Sequence, residues 1–321
     1  MNAQKLMQFT RGLLALVILI APALAPAEEC EVELFVLGAG QDAGAPHIGY
    51  PDDPAWADPA LGQTATSIAV VDHVAGERFL FEATPHVTRQ LQLLDTLAPA
   101  DGPGLGLDGV FLTHAHIGHY AGLMYFGREG AGADGIPVFV MPRFAAFLQG
   151  NGPWSQLVKL ENIVIQPLAA ETPVQASKGI HVTPLTVPHR DEFSETVGFV
   201  IVTNASKTLF LPDLDSWDEW AQASGIDLAT RVVELDHLFV DATFFQDGEL
   251  TGRDMSEIPH PRVKDTMERL SGLSPELRQK VRFIHYNHTN PIRFPASPES
   301  ALVSARGFDV ARAGDRLCLA P

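Results

Sequence analysis

Three imidazoles stand within six residues in the segment Thr113-His114-Ala115-His116-Ile117-Gly118-His119-Tyr120. An apolar run over 109–112 feeds directly into them, so they fall where a buried strand turns toward a helix. On a continuous strand His114 and His116 would share a face, and His119 would come from the first helical turn. Neutral imidazole is the commonest protein ligand for a metal, and Zn²⁺ takes several at about 2.0–2.1 Å. The plain alternative is a polar, solvated loop, and three histidines this close together argue against it. A cation held here would make a nucleophile of water near neutral pH and polarise a carbonyl or phosphoryl oxygen.

Further donors follow at later strand ends. His189 comes after the run 180–187, Asp213 after 208–211, and His285 and His288 after 281–284. Each alone is weak, because an isolated histidine is usually a hydrogen-bonded core or surface residue and an Asp after a strand is usually a turn residue. Their order after the histidine turn makes them a set. The segment Gly38-Ala39-Gly40-Gln41-Asp42-Ala43-Gly44 reads as a tight loop near a site, and its glycine spacing does not fit a dinucleotide fingerprint. Asp42 and His47 in this region, together with His288, are expected to line the substrate pocket.

The elements that must position these groups are mostly strands. Residues 33–37 alternate into a strand, and 67–71 with 78–81 read as a hairpin pair. Residues 86–97 have helical apolar spacing, and 99–107 form a Gly/Pro loop. Strands then recur at 110–112, 138–141, 163–165, 180–185, 197–202, 208–211, 237–240 and 281–285, with helices at 143–148, 217–223, 262–270 and 275–280. This mixture of hairpins and βα units predicts an α/β fold of two packed sheets with helices outside, a four-layer αββα sandwich.

The pattern resembles the metallo-β-lactamase superfamily, whose hallmark is H-x-H-x-D-H followed by distant His, Asp and His. The resemblance implies that His114, His116 and His189 hold a first ion, that His119 and His285 hold a second, and that Asp213 bridges them. One departure stands out: the motif's Asp, which serves the second ion, is Gly118 here. His288 or Asp215 would replace it, or a single ion suffices, or the second ion differs. A likeness to phosphodiesterase members of the superfamily implies that His260 donates a proton to the leaving group while Asp241 orients it. For the same pair, a helix-start residue and a loop cap are the bland alternatives.

A closer resemblance is to the pyrroloquinoline quinone (PQQ) biosynthesis protein B family. It is carried by Val36-Leu37-Gly38 and the loop to Pro46, Thr66-Ser67-Ile68-Ala69-Val70, Phe81-Glu82-Ala83-Thr84-Pro85, Asp241-Ala242-Thr243-Phe244 and Ile284-His285-Tyr286-Asn287-His288-Thr289-Asn290-Pro291. It covers residues 34–319. The chain departs from that family in keeping the full set His114, His116 and His119.

The ends of the chain add a compartment. Lys5 and Arg11, an apolar run over 13–24 and Ala25-Pro26-Ala27 read as a secretory signal peptide over 1–27, leaving 28–321 as one metallo-β-lactamase-like domain in the periplasm or outside the cell. Without Lys5 and Arg11 there remain 20 basic against 39 acidic residues, a net charge of −19. That surface repels phosphate backbones, which excludes a general nucleic-acid binder, and no membrane attachment is expected after cleavage. The only cysteines, Cys30 and Cys318, flank the mature chain. An oxidising compartment permits a bridge between them; two free buried thiols are the alternative.

The expected function is a metal-dependent hydrolase of a small ester-like molecule, a phosphodiester or a lactone. Its cofactor is one or two divalent ions, Zn²⁺ first, with iron and manganese as alternatives, and a homodimer is compatible. The rivals are a metal-dependent oxidoreductase acting on a quinone-cofactor precursor and a non-catalytic carrier with a degenerate site.

Overall fold

The structure, a computed structural model, describes residues 30–321. The expected signal peptide lies outside the described residues. No helix among the described residues is long and apolar enough to cross a membrane.

Strands β1 (Val32–Gly38), β2 (Ser67–Asp72), β3 (Glu77–Phe81), β4 (Gly109–Phe111), β5 (Ile136–Val140) and β6 (Ile163–Pro167) build the first half. The second half has β7 (Val174–Ser177), β8 (Ile180–Thr186), β9 (Val197–Val202), β10 (Lys207–Leu211), β11 (His237–Asp241), β12 (Val281–Ile284) and β13 (Asp309–Val310). The last strand, β14 (Arg316–Ala320), returns to pair with β1. One seven-stranded sheet runs β14-β1-β2-β3-β4-β5-β6 and the other β13-β12-β11-β10-β9-β8-β7. Helices α1 (Val87–Leu97), α2 (Ile117–Tyr120), α3 (Pro142–Gly150) and α4 (Trp154–Lys159) belong to the first half, and α5 (Trp217–Ser224), α6 (Leu228–Glu234), α7 (Val263–Arg269), α8 (Pro275–Arg278) and α9 (Pro298–Ala305) to the second.

The period of two in a strand explains the layers. On β1, Val32, Leu34 and Val36 enter the core between the sheets, while Phe35 and Leu37 join the core under α1 and α3. Ile68 and Val70 against Ala69 and Val71, and Phe79 and Phe81 against Leu80, divide the same way. Both faces of these strands are buried, hence their continuous apolar runs. Between the sheets Phe81, Phe111 and Phe139 stack at centroid distances of 5.0 and 4.4 Å, and Phe199 and Phe210 of the other sheet meet Phe81 edge-on at 5.6 and 6.1 Å. Each fully buried ring contributes about 1.5–3 kcal/mol. The expected αββα sandwich is the architecture found.

Strand direction gathers the site. β10, β11 and β12 are mutually parallel, and β8 is antiparallel to β9, which is antiparallel to β10. The C-terminal ends of β8, β10, β11 and β12 therefore share one edge of their sheet. By the same reasoning β1, β3 and β4 end together in the first sheet. All the histidines and carboxylates predicted to ligate a metal or act in catalysis follow or close these strands.

Some expectations change. β4 stops at Phe111, so His114 and His116 sit on the connection after it and not on a shared strand face. The helix expected from 262 begins at Val263, because Arg262 is the N-cap and its guanidinium binds Asp247 and the carbonyls of Met255 and His260. Cys30 and Cys318 form a disulfide with a Cα separation of 5.7 Å, which decides between bridge and free thiols in favour of the bridge.

Candidate metal centre

Five imidazoles each turn one ring nitrogen outward and one inward, and four of the outward nitrogens, all but His119 Nδ1, are hydrogen-bonded. His114 meets Thr113 Oγ1 at 2.8 Å through Nδ1, and His189 meets Asp215 Oδ1 at 2.7 Å through Nδ1. His116 reaches Glu192 Oε2 at 3.0 Å through Nε2. His285 Nδ1 lies 3.2 Å from Thr243 Oγ1, and His119 Nδ1 lies 3.4 Å from Glu82 Oε1. Outer partners of this kind fix the tautomer and ring orientation of metal-binding histidines.

The inward nitrogens converge. His116 Nδ1 lies 2.8 Å from His114 Nε2 and 3.1 Å from His189 Nε2. When each outward nitrogen donates to its partner, these three inward atoms present only lone pairs, which repel one another unless a cation lies between them. Asp213 Oδ2 completes the arrangement, 3.5 Å from His114 Nε2, 3.4 Å from His189 Nε2, 3.6 Å from His119 Nε2 and 3.8 Å from His285 Nε2. His119 Nε2, His285 Nε2 and Asp213 Oδ1 are buried with no hydrogen-bond partner. Orphaned buried polar atoms are costly, and a divalent ion is the group this donor set fits. The six residues predicted to ligate are thus brought together: His114, His116, His189 and Asp213 form one cluster, and His119 and His285 belong to a second while each approaches Asp213 Oδ2 within 3.8 Å.

The electrostatics agree. Burial alone would raise the Asp213 carboxyl, but His189, His285 and His260 around it hold it well below the ordinary range. Burial pushes His114 well down and also lowers His116 and His285, favouring the neutral, ligating form. His119 is the exception: burial lowers it, yet Glu82 and Asp213 outweigh that and raise it to about 10. A second cation beside Asp213 would oppose that protonation.

Backbone geometry marks the same place. Glu82 and His285 are completely buried and adopt φ of +72° and +67°, and Asp42 has φ of +40°. Left-handed conformations at residues other than glycine are uncommon and cluster at functional sites.

His260 and Asp241 stand beside the clusters. His260 Nδ1 lies 2.8 Å from Asp241 Oδ2 and 3.3 Å from Asp213 Oδ1. Asp241 is completely buried and also accepts from Leu214 N, Thr243 N and Thr243 Oγ1. Its lone pairs are spent on hydrogen bonds, so it orients His260 and is not free to ligate. Burial lowers the His260 pKa, but Asp241 and Asp213 overcome this and raise it to about 9. The ring lines a cavity of about 310 Å³ with Asp215, Ser216 and Trp217. Ser216 caps α5, and Trp217 and Trp220 turn into the core.

The residues predicted to line a pocket divide. Asp42 comes close to the cluster, with Oδ1 3.8 Å from His119 Nε2. His288 instead stacks on His47 at 4.6 Å and packs against Tyr50 at 4.1 Å, lining a cavity with Tyr50, Asp53, Thr289 and Arg293. Neither candidate for replacing the motif's carboxylate does so: His288 lies in that stack, and Asp215 is bonded to the outward face of His189. Sequence reasoning missed Glu82, Thr113, Thr243 and Glu192 as outer partners. The signal for Glu82 and Thr243 was present, since each lies within a segment that carried the family resemblance, Glu82 directly after β3 and Thr243 two residues past β11.

Known proteins bear on this geometry. The coenzyme PQQ synthesis protein B of Ruegeria pomeroyi is 25% identical over 315 residues, covering 90% of this chain and all of that protein. Among solved structures, the Zn²⁺-bound PqqB of Methylobacterium extorquens superposes with a TM-score of 0.72 at 22% identity, covering 89% of this chain and 99% of that one. A diphosphatase of the PhnP family superposes with a TM-score of 0.59 at 20% identity, covering 89% and 96%. Residues 77–286 match the family model described as beta-lactamase superfamily domain. That span runs from β3 through His285 and contains every metal-clustered histidine, and the chain belongs to the β-lactamase superfamily, built on the metallo-β-lactamase fold.

Proposed function

We propose that the protein is a metal-dependent hydrolase of a small ester-like substrate, a phosphodiester or a lactone. The observation that carries this reading is the convergence of inward imidazole nitrogens on Asp213 with the His260–Asp241 pair alongside. Zn²⁺ is the proposed ion, supported by three histidines with one carboxylate and by the zinc named in the Methylobacterium extorquens PqqB structure.

His114, His116, His189 and Asp213 would hold one ion, with His119 and His285 also approaching Asp213 Oδ2 at 3.6 and 3.8 Å. Such an ion supplies Lewis acidity and a water-derived nucleophile near neutral pH. The chain supplies the rest. Asp241 fixes His260 through Nδ1, leaving Nε2 to give its proton to the leaving oxygen. Thr113, Glu192 and Asp215 hold the ligand rings in place so that little reorganises during the reaction. A diphosphatase among the fold neighbours supports hydrolysis at phosphorus. The Cys30–Cys318 bridge supports an exported location.

The test is turnover of a chromogenic phosphodiester and a chromogenic lactone by protein purified without chelator, with metal content measured on the same sample. Zinc with turnover is expected; zinc with no hydrolysis of either substrate class would overturn the reading. The curated relatives, named coenzyme PQQ synthesis protein B, bring in a quinone-cofactor precursor as substrate, and with it a second reading, its metal-dependent oxidation. Iron in the protein and oxygen consumption on such a precursor would establish it instead.

A further inference from the structure

Position 118 lacks the carboxylate that the superfamily motif places there, yet the space is filled. A Cβ built on Gly118 would lie 2.5 Å from Asp42 Oδ1 and 3.0 Å from Asp42 Cβ, and closer still to Asp42 Cα. Real Cβ atoms do not approach so closely, so Gly118 is required for Asp42 to stand where it does. The Asp42, His119 and His285 ligand atoms all lie within 4.8 Å of one another. Two of them, His119 Nε2 and His285 Nε2, belong to side chains at most 2% exposed and have no other partner.

We propose that Asp42 is a transplanted ligand: the carboxylate lost from the histidine turn is supplied by the loop after β1, so the site holds two ions despite Gly118. This rests on the metal-site reading above. Asp42, His119 and His285, with Asp213 shared, form the second ion's donor set, four protein donors that suit tetrahedral Zn²⁺ and admit substrate when the coordination expands to five. The Asp42 side chain is 44% exposed, which puts this ion on the solvent side of the cluster.

The loop is held firmly enough to act as a ligand arm. Gln41 N donates to Tyr286 O at 2.9 Å and Tyr286 N to Ala39 O at 3.0 Å, so the residue before Asp42 is tied to the residue after His285. Gly40 N donates to Thr64 O at 2.9 Å, and Gly44 N closes the turn onto Gln41 O at 2.7 Å. Gly44 needs its own missing Cβ, because it has φ of +67° and packs against the Gln63 carbonyl. The turn that presents Asp42 is thus fixed on both sides, and a cross-sheet connection sets its distance from His285.

The test is zinc stoichiometry and affinity, by elemental analysis and competition titration, on the full protein and on two variants, Asp42→Asn and Gly118→Ala. Cobalt absorption spectra give a second readout. The native protein should bind two ions. Asp42→Asn should keep the first and weaken the second by at least about 100-fold, the upper end of what loss of an outer-shell partner costs. Gly118→Ala should also weaken the second ion, because its Cβ would meet the Asp42 backbone and displace the carboxylate. Melting of Asp42→Asn in chelator at the native temperature shows that the fold is intact. Two ions bound with native affinity by Asp42→Asn would overturn the proposal. One ion in the native protein would overturn it while leaving the first site standing, and no ion would sink both.

Discussion

His260 Nδ1 and Asp241 Oδ2 are 2.8 Å apart, and Asp241 has no other function open to it: three further donors saturate the carboxylate in a fully buried setting. A histidine clamped through one nitrogen has a single tautomer and a single free nitrogen, which is what a directed proton donor requires.

His260→Ala is expected to retain its zinc, because the ring lies outside the His114–His116–His189–Asp213 set, while kcat for a phosphodiester falls by about 10²–10⁴. Activated esters with good leaving groups should lose much less. Steady-state kinetics on a series of leaving groups checks this, and native turnover of the poorest leaving group would remove His260 from the mechanism.

Asp241→Asn should behave differently. The amide would still fill the space but would present the wrong polarity to Leu214 N, Thr243 N or His260. The expected outcome is a loss of kcat approaching that of His260→Ala, together with a stability loss of about 1–3 kcal/mol from the unsatisfied buried donor. Urea unfolding and kinetics on the same preparation separate the two effects.

Much of this site was legible in the sequence, and the reason is local. His114, His116 and His119 announce themselves by density, and His189, Asp213, Asp241 and His285 by following or ending apolar strands that hydrophobic periodicity already located. The role of Asp42 was not legible, because it depends on a contact between residues 76 positions apart and on the space left by a missing side chain. Short pieces of the fold were also hidden. β7 is partly exposed, and β14 carries Arg316 and Cys318 on its outer face and is recognised only through pairing with β1. The starts of α6 and α9 did carry signals, the capping side chains Asp227 and Ser297 with Pro298 at the first turn, but their apolar stripes are too short to show a period.

The Asp53–Arg293 pair gives a stability prediction away from the chemistry. The two side chains are 5% and 1% exposed, joined by contacts of 2.5 and 2.8 Å, and they clamp the loop carrying Tyr50 to the segment after His288. Asp53→Ala leaves a buried guanidinium unpaired and should cost about 3–5 kcal/mol. The hydrogen bond from Arg293 is the largest influence on the Asp53 carboxyl and holds it below its ordinary 3.8. A carboxylate depressed on folding stabilises fully above the unfolded value and loses that contribution as pH falls through the folded one. The acid-side decline in unfolding midpoint below about pH 3.8 should therefore be shallower in Asp53→Asn than in the native protein.

Cys30 and Cys318 close a loop across 288 positions. Constraint of so long a loop in the unfolded chain contributes about 5 kcal/mol in the chain-entropy view. Cys318→Ser should lower the unfolding midpoint to that of the reduced native protein, and adding reductant to the variant should change nothing further.

Anomalous diffraction at the zinc edge, on crystals of protein purified without chelator, tests the central claim most directly. The account predicts a peak bounded by His114 Nε2, His116 Nδ1, His189 Nε2 and Asp213 Oδ2, with a second on the His119–His285 side of Asp213. Fully occupied side chains in the same rotamers with no anomalous peak among them, even after zinc soaking, would contradict it.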